Sequence, residues 1–399
     1  MSIFSKIIGG ASYDDLWQAI IRPPRDHYNN EDLGPSKFCI SSNNYKRSDF
    51  TIVNKRNLKL SCSWWEPFDE EREYNRLPCV IYLHGNSSSK AEAYPEANIL
   101  LPMNICLFAF DFSGCGRSEG EYISLGYYEK MDVECIVEYL RKSNKVSTIG
   151  LWGRSMGAVT ALMYGDSDPT VAGMVLDSPF SSLKLLVEEL VSEKITLPKF
   201  ILSQAIKMVK NSVKKKAFFD LDDIEPIKYA ERCYIPALFT SANDDDFVKP
   251  HHSKYLYDVY KGDKNIIKIE GDHNSIRCNF FKNSAAIFFH NALQLDKIEH
   301  MSNAYDNCNL NSCSTKELKF DKNFINALSN NNDYKDTNNK NINNPYNLVD
   351  NNNNININFE DYGQEEKAFQ KVLSLSKKDN FKLKNNINNK HEIIHKHHD

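Results

Sequence analysis

The sequence predicts an α/β fold: a mostly parallel central sheet flanked by helices, with a small helical cap and a long polar C-terminal tail. Three observations carry this. Short, nearly continuous apolar runs alternate with segments of helical periodicity, as βαβ crossovers require. One interval between strands is too long for a simple crossover and holds two helical patterns. After Leu295 the apolar rhythm gives way to an asparagine-rich composition.

The chain divides into three sections. Residues 1–48 form a lead-in, and Tyr13, Leu16, Trp17, Ile20 and Ile21 give it an amphipathic helix before Arg22-Pro23-Pro24. That helix is expected to pack on its own domain, with peripheral membrane contact as the alternative. Residues 49–296 form the folded domain. Its opening runs, 50–53 and 58–65, alternate in polarity and predict antiparallel strands. The run at 79–84, Cys-Val-Ile-Tyr-Leu-His, is nearly all apolar, as a strand covered on both faces should be. Runs at 104–110, 148–152, 171–176, 234–240 and 265–269 repeat that character. Val133, Ile136, Val137 and Leu140 mark a buried helical stripe, and a second helix should follow Gly157. The long interval, 181–230, predicts the cap through Leu183, Leu186, Val187, Leu190 and Val191, then Ile201, Ala205, Met208 and Val209. Its lysines (207, 210 and 214–216) read as a solvated face, with an anionic headgroup as the sharper alternative. Residues 297–399 are too polar to offset their chain entropy and predict a disordered tail, with one helically spaced stretch at 365–375.

Composition narrows the function. The net charge of −4 over 399 residues gives no support to a nucleic-acid partner. Ten cysteines are scattered without a C-x-x-C pair or zinc-ligand spacing, a usage that suits a reducing compartment. Neither a metal nor a cofactor is expected. The apolar start is broken by Lys6, Gly9 and Gly10, a poor secretory signal, and Ser2 excludes the N-myristoylation pattern. A cytoplasmic protein, with membrane association as an option, is the expectation.

The chemistry starts at Gly153-Arg154-Ser155-Met156-Gly157, a G-x-S-x-G pentad that follows a strand and opens a helix. A serine hydroxyl is a weak nucleophile and must be held clear of the backbone beside a base. A sharp strand-to-helix turn does this and aims the first helical N–H, that of Met156, at a developing oxyanion. The base is expected late in the chain, at His273 in Gly271-Asp272-His273-Asn274. The other histidines fit less well, because His84 lies in the oxyanion loop and His251 and His252 begin a helix. The acid is expected among Asp244, Asp245 and Asp246, directly after a strand, with Asp177 a weaker substitute. A second oxyanion donor is expected in the loop after 79–84, at the N–H of Asn86 beyond Gly85. The glycine-rich run Asp111 to Gly120 lacks both nucleotide-binding patterns and reads as structural bracing.

Taken together, Tyr82-Leu-His-Gly-Asn86, Asp111-Phe-Ser-Gly-x-Gly-x-Ser118, the Ser155 pentad and Gly271-Asp-His-Asn274 resemble the α/β-hydrolase superfamily over roughly 50–296. The similarity is to its serine-aminopeptidase-type branch, which includes monoacylglycerol-lipase-like enzymes and protein depalmitoylases. Ile20 to Arg25 resembles the lead-in of uncharacterised plant and protozoan members. The resemblance implies an α/β-hydrolase fold and a Ser-Asp-His order. Its G-x-x-D-x-x-V pattern aligns Asp245 with Val248, although Ala242 stands where the glycine is usual. It also implies hydrolysis of an ester or thioester of a lipid-like acyl group, on a small molecule or an S-acylated protein. Peptide or amide hydrolysis is the alternative within the branch. A binding protein that has lost catalysis is the alternative outside it.

Overall fold

Strands that are apolar on both faces must be covered on both faces, and the computed structural model shows how this chain does it. The structure describes residues 17–296 except 19, 41 and 195–198, and no side chain of 191–205. The expectations for residues 1–16 and for the 297–399 tail lie outside the described residues, as does the second compact unit apart from its first two residues.

Nine strands form one sheet: β1 (Lys37–Ile40), β2 (Asn43–Val53), β3 (Lys59–Pro67), β4 (Leu77–Leu83), β5 (Cys106–Phe110), β6 (Val146–Arg154), β7 (Gly173–Asp177), β8 (Ala237–Ala242) and β9 (Lys264–Ile269). Their spatial order is β1-β2-β3-β5-β4-β6-β7-β8-β9. The pairs β1·β2, β2·β3 and β3·β5 are antiparallel, and every pairing from β5 through β4 to β9 is parallel. Two features escape the sequence reading. β2 begins at Asn43 rather than near 50, and β1 precedes it. β1 is a four-residue, half-exposed edge strand whose apolar stretch, Phe38 to Ile40, is only three residues long, and β2 begins with the polar pair Asn43 and Asn44, so neither start is marked by a long apolar run.

The described helices are α1 (Tyr94–Leu100), α2 (Glu129–Lys142), α3 (Met156–Gly165), α4 (Leu183–Lys194), α5 (Lys199–Ala217), α6 (Pro226–Ala230), α7 (Pro250–Val259) and α8 (Asn279–Ala292). Val133, Ile136, Val137 and Leu140 of α2 are fully buried. Each such side chain contributes roughly 1.5–3 kcal/mol of burial free energy. The helix α3 is buried along its whole length, as its continuous apolar sequence requires. Two helices, α4 and α5, occupy the interval expected to form the cap. The lysine run at the end of α5 is partly neutralised: Lys214 pairs with Asp220 at 3.0 Å, and Lys210 pairs with Asp222.

The described end of the lead-in packs on the domain. Trp17 and Ile21 are buried in the core, and the Ile21 carbonyl accepts from the Ile123 N–H at 2.8 Å. None of the described helices is long and apolar enough to cross a membrane.

Because β4, β6, β7, β8 and β9 run parallel, the loops that leave their carboxyl ends share one edge. The chain crosses from β4 to β5 on one side and then to β6 on the other, so the strand order reverses at β4. The crevice outside such a switch point is where open α/β sheets bind ligands.

Candidate active site

Ser155 stands between the last residue of β6, Arg154, and the first of α3, Met156. Its backbone is at φ 50°, ψ −115°, outside the regions a serine ordinarily occupies. A residue held this way costs on the order of 1–3 kcal/mol and needs its surroundings to impose it. The two flanking glycines show what does so. A Cβ on Gly157 would lie 1.9 Å from the Leu83 carbonyl oxygen, and one on Gly153 would lie 2.3 Å from the Gly157 oxygen. The start of α3 is thus pressed against the end of β4. The Ser155 N–H donates to the Asp177 carbonyl at 2.8 Å, which fixes the turn to β7.

His273 follows β9, and its Nε2 is 3.0 Å from Ser155 Oγ. Its Nδ1 is 2.8 Å from Asp245 Oδ2. All three residues are buried, at 4% exposure or less, so the pairs interact in a medium of low polarity. The other oxygen of Asp245, Oδ1, accepts from Val248 N at 2.7 Å and Phe247 N at 3.1 Å. The three-residue spacing from aspartate to valine therefore has a geometric meaning: the backbone turns back to grip one carboxylate oxygen and leaves the other for the imidazole. Asp244 and Asp246 make neither contact. Asp177 is turned away from the imidazole and is engaged elsewhere.

The loop after β4 lies against the serine: a Cβ on Gly85 would be 3.9 Å from Ser155 Cβ. Among the described residues no backbone acceptor takes the N–H of Asn86 or of Met156. These are the two donors expected to hold an oxyanion. Asn86 Oδ1 and Ser87 Oγ are buried with no protein partner, which leaves two more polar atoms of this loop for a ligand.

The structure adds a supporting network that the sequence reading missed. Glu92 Oε2 accepts from Gly85 N at 3.0 Å, while its Oε1 meets Arg154 at 2.6 Å. Arg154 in turn donates to the His273 carbonyl at 2.8 Å. One ion pair thereby ties the loop after β4, the residue before Ser155 and the loop of His273 together. A second buried pair, Arg277 to Asp177 at 2.7 Å, secures the other side. Arg277 also donates to the carbonyls of Asp272, His273 and Ser275, at 3.2, 3.2 and 2.9 Å. Burial alone would raise the Asp177 carboxyl, but the charge of Arg277, aided by Arg154, holds it below the usual carboxylate range. Arg154 stands 62 residues from Glu92 and 119 from His273, and Arg277 stands 100 from Asp177, so no local pattern could reveal these contacts. Arg277→Met is expected to destabilise the fold by about 3 kcal/mol, because Asp177 would be left as a buried, half-compensated charge. Denaturant midpoints measured on the purified protein would read this directly.

The remaining motif residues are structural. His84 Nδ1 bonds the Gly85 carbonyl at 2.7 Å, and its Nε2 accepts from Phe112 N at 3.1 Å, joining the loops after β4 and β5. In the glycine-rich run, Asp111 accepts from Lys90 N at 2.7 Å, Arg117 N at 2.9 Å and Tyr28 OH at 2.7 Å. That is bracing, as the sequence suggested. His251 and His252 open α7 and face Glu189 of α4. Burial lowers the His252 pKa to about 4, so its ring is neutral at pH 7.

Comparison with known proteins agrees with this architecture. The family model described as serine aminopeptidase, S33, matches residues 76–222, which carry β4, the loop of Asn86 and the Ser155 turn. Over that span the chain is similar to α/β hydrolases of the serine-aminopeptidase type. A second family model, PhoPQ-activated pathogenicity-related protein, matches 190–324. The chain is 26% identical over 198 residues to the uncharacterized protein YqkD of Bacillus subtilis, covering 49% of this chain and 64% of that one. It is 27% identical over 188 residues to the monoglyceride lipase of Mus musculus, covering 44% and 59%. The chain thus spans less than two thirds of either relative. Its fold matches that of an esterase of Pyrococcus furiosus with a TM-score of 0.52 at 23% identity, over 68% of this chain and 97% of that one.

Proposed function

We propose that this hydrolase cleaves an ester or thioester of a lipid-like acyl group through Ser155, His273 and Asp245. The single observation that carries the reading is the unbroken line from Asp245 Oδ2 through the imidazole to Ser155 Oγ, at 2.8 and 3.0 Å. In that arrangement His273 Nε2 removes the Ser155 proton as Oγ attacks the acyl carbonyl. Asp245 keeps the other imidazole proton on Nδ1 and stabilises the imidazolium. The carbonyl oxygen, now an oxyanion, takes hydrogen bonds from the N–H groups of Asn86 and Met156. His273 then gives its proton to the departing alcohol or thiol, which leaves the acyl group on Ser155. A water attacks that acyl-enzyme, losing its proton to His273, and the acid departs as Ser155 regains its hydrogen. Similarity to a monoglyceride lipase supports a lipid-like acyl group as the first class to test. An S-acylated protein belongs to the thioester arm of the same test.

The test has two parts. A fluorophosphonate probe should label the wild-type protein covalently and leave Ser155→Ala unlabelled. Turnover should then be compared on short and long acyl esters, an acyl thioester and an aminoacyl amide. Ester and thioester turnover well above amide turnover is expected; dominant amide turnover would move the reading to a peptidase. Equal labelling of wild type and variant would overturn the nucleophile assignment.

A further inference from the structure

We propose that Glu92 is the positioning residue that aims the Asn86 N–H at the substrate carbonyl, a role that rests on the hydrolase reading above. The argument starts at Gly85, the residue before that donor. A glycine has wide backbone freedom, and a Cβ at Gly85 would meet nothing closer than 3.9 Å beyond its chain neighbours, so packing does not hold it. Hydrogen bonds do. Glu92 Oε2 accepts from the Gly85 N–H at 3.0 Å, and the Gly85 carbonyl lies 2.7 Å from His84 Nδ1. His84 Nε2 accepts from the Phe112 N–H at 3.1 Å, so the neutral ring carries its proton on Nδ1 and donates it to that carbonyl.

Glu92 thus anchors the peptide before Gly85, and His84 the peptide after it. The Gly85–Asn86 peptide is trans, and in a trans peptide the carbonyl and the N–H point opposite ways. With the carbonyl tied to His84, the Asn86 N–H points away from that ring, and among the described residues no backbone acceptor takes it. Its direction is set by two buried side chains, not by the chain's own packing. Glu92 also reaches the other side of the site. Its Oε1 is 2.6 Å from Arg154, whose second terminal nitrogen donates to the His273 carbonyl at 2.8 Å. A carboxylate serves both neighbours because it has two acceptor oxygens, where an amide has one. Glu92 acts through Gly85 and Arg154, and so positions the reacting groups without joining the reaction.

The consequence falls on the transition state. Removing an oxyanion donor outright typically costs on the order of 100- to 1000-fold in kcat. Turning one off its line should cost less, about 10- to 100-fold. The loss belongs to kcat and not to KM, because the oxyanion exists only after attack.

The test uses full-length protein and two double variants, each carrying Arg154→Met so that the ion pair is gone from both. Removing both charges together leaves neither one buried and unpaired, so both proteins should fold. One adds Glu92→Gln, which keeps an oxygen for the Gly85 N–H. The other adds Glu92→Met, which keeps the length of the side chain and loses the acceptor. Turnover of a short acyl ester is measured per site that a fluorophosphonate labels at completion, which removes any unfolded fraction from the comparison. The Glu92→Met protein is expected to show kcat about 10- to 100-fold below the Glu92→Gln protein, with KM values within about threefold. Equal kcat in the two would overturn the positioning role, because a merely structural ion pair is lost equally from both. A wild type that neither turns over nor takes the label would sink the hydrolase reading and this role with it, a result distinct from equal variants beside an active wild type.

Discussion

Ser155→Ala is expected to lower kcat on an acyl ester by about a million-fold, with the unfolding temperature nearly unchanged. Loss of the nucleophile from a group that acts as a unit costs about as much as loss of the whole group. What remains should be the modest acceleration that the Asn86 and Met156 N–H donors and substrate positioning provide. The hydroxyl is small and the backbone at φ 50° tolerates alanine no worse than serine, so the fold has little reason to respond. A steady-state assay with a chromogenic short-chain ester, beside a thermal melt of the same preparation, checks both halves. A variant that keeps more than about a hundredth of wild-type turnover would mean that another group attacks the carbonyl.

Asp245→Asn should lower kcat by about ten thousand-fold while the domain stays folded. The reason lies in how the two carboxylate oxygens are used. Oδ1 takes the N–H groups of Val248 and Phe247, a demand that only an oxygen can meet. An asparagine would keep its oxygen there and turn its NH2 toward His273 Nδ1. That nitrogen would then have to accept, which moves the imidazole proton to Nε2. An Nε2 that already carries a proton cannot take one from Ser155. Loss of kcat with KM changed by less than about threefold is the expected split, since the substrate meets neither Asp245 nor Nδ1. The same swap at Asp244 or Asp246 should leave kcat within a few-fold of wild type. A large loss there, and not at Asp245, would reassign the acid.

Much of this protein was legible because its signals are local. The strand Leu77–Leu83, read as 79–84, and the stripe Val133, Ile136, Val137 and Leu140 announce themselves by residue pattern, since burial on two faces or on one fixes residue type directly. The pentad around Ser155 is readable because the same few residues that make the turn also place the serine hydroxyl. β1 and the first half of β2 were not legible. The edge strand β1 is only four residues long, and the start of β2 that pairs with it is built from residues such as Asn43, Asn44 and Lys46, whose backbone pairing leaves no mark on hydropathy.

By itself, then, the sequence determined the alternating architecture, the strand-turn-helix that exposes Ser155, the late histidine and an acidic triplet after β8. It did so because each is a property of a short stretch of chain. Only the tertiary structure decided which aspartate of the three faces His273, that Glu92 and Arg154 tie the loop after β4 to the loop of His273, and that Glu189 of α4 meets two histidines of α7. Those are choices between groups far apart along the chain. The parallel register of β6 to β9 sets them, by bringing separate loops to one edge where buried charges must find partners.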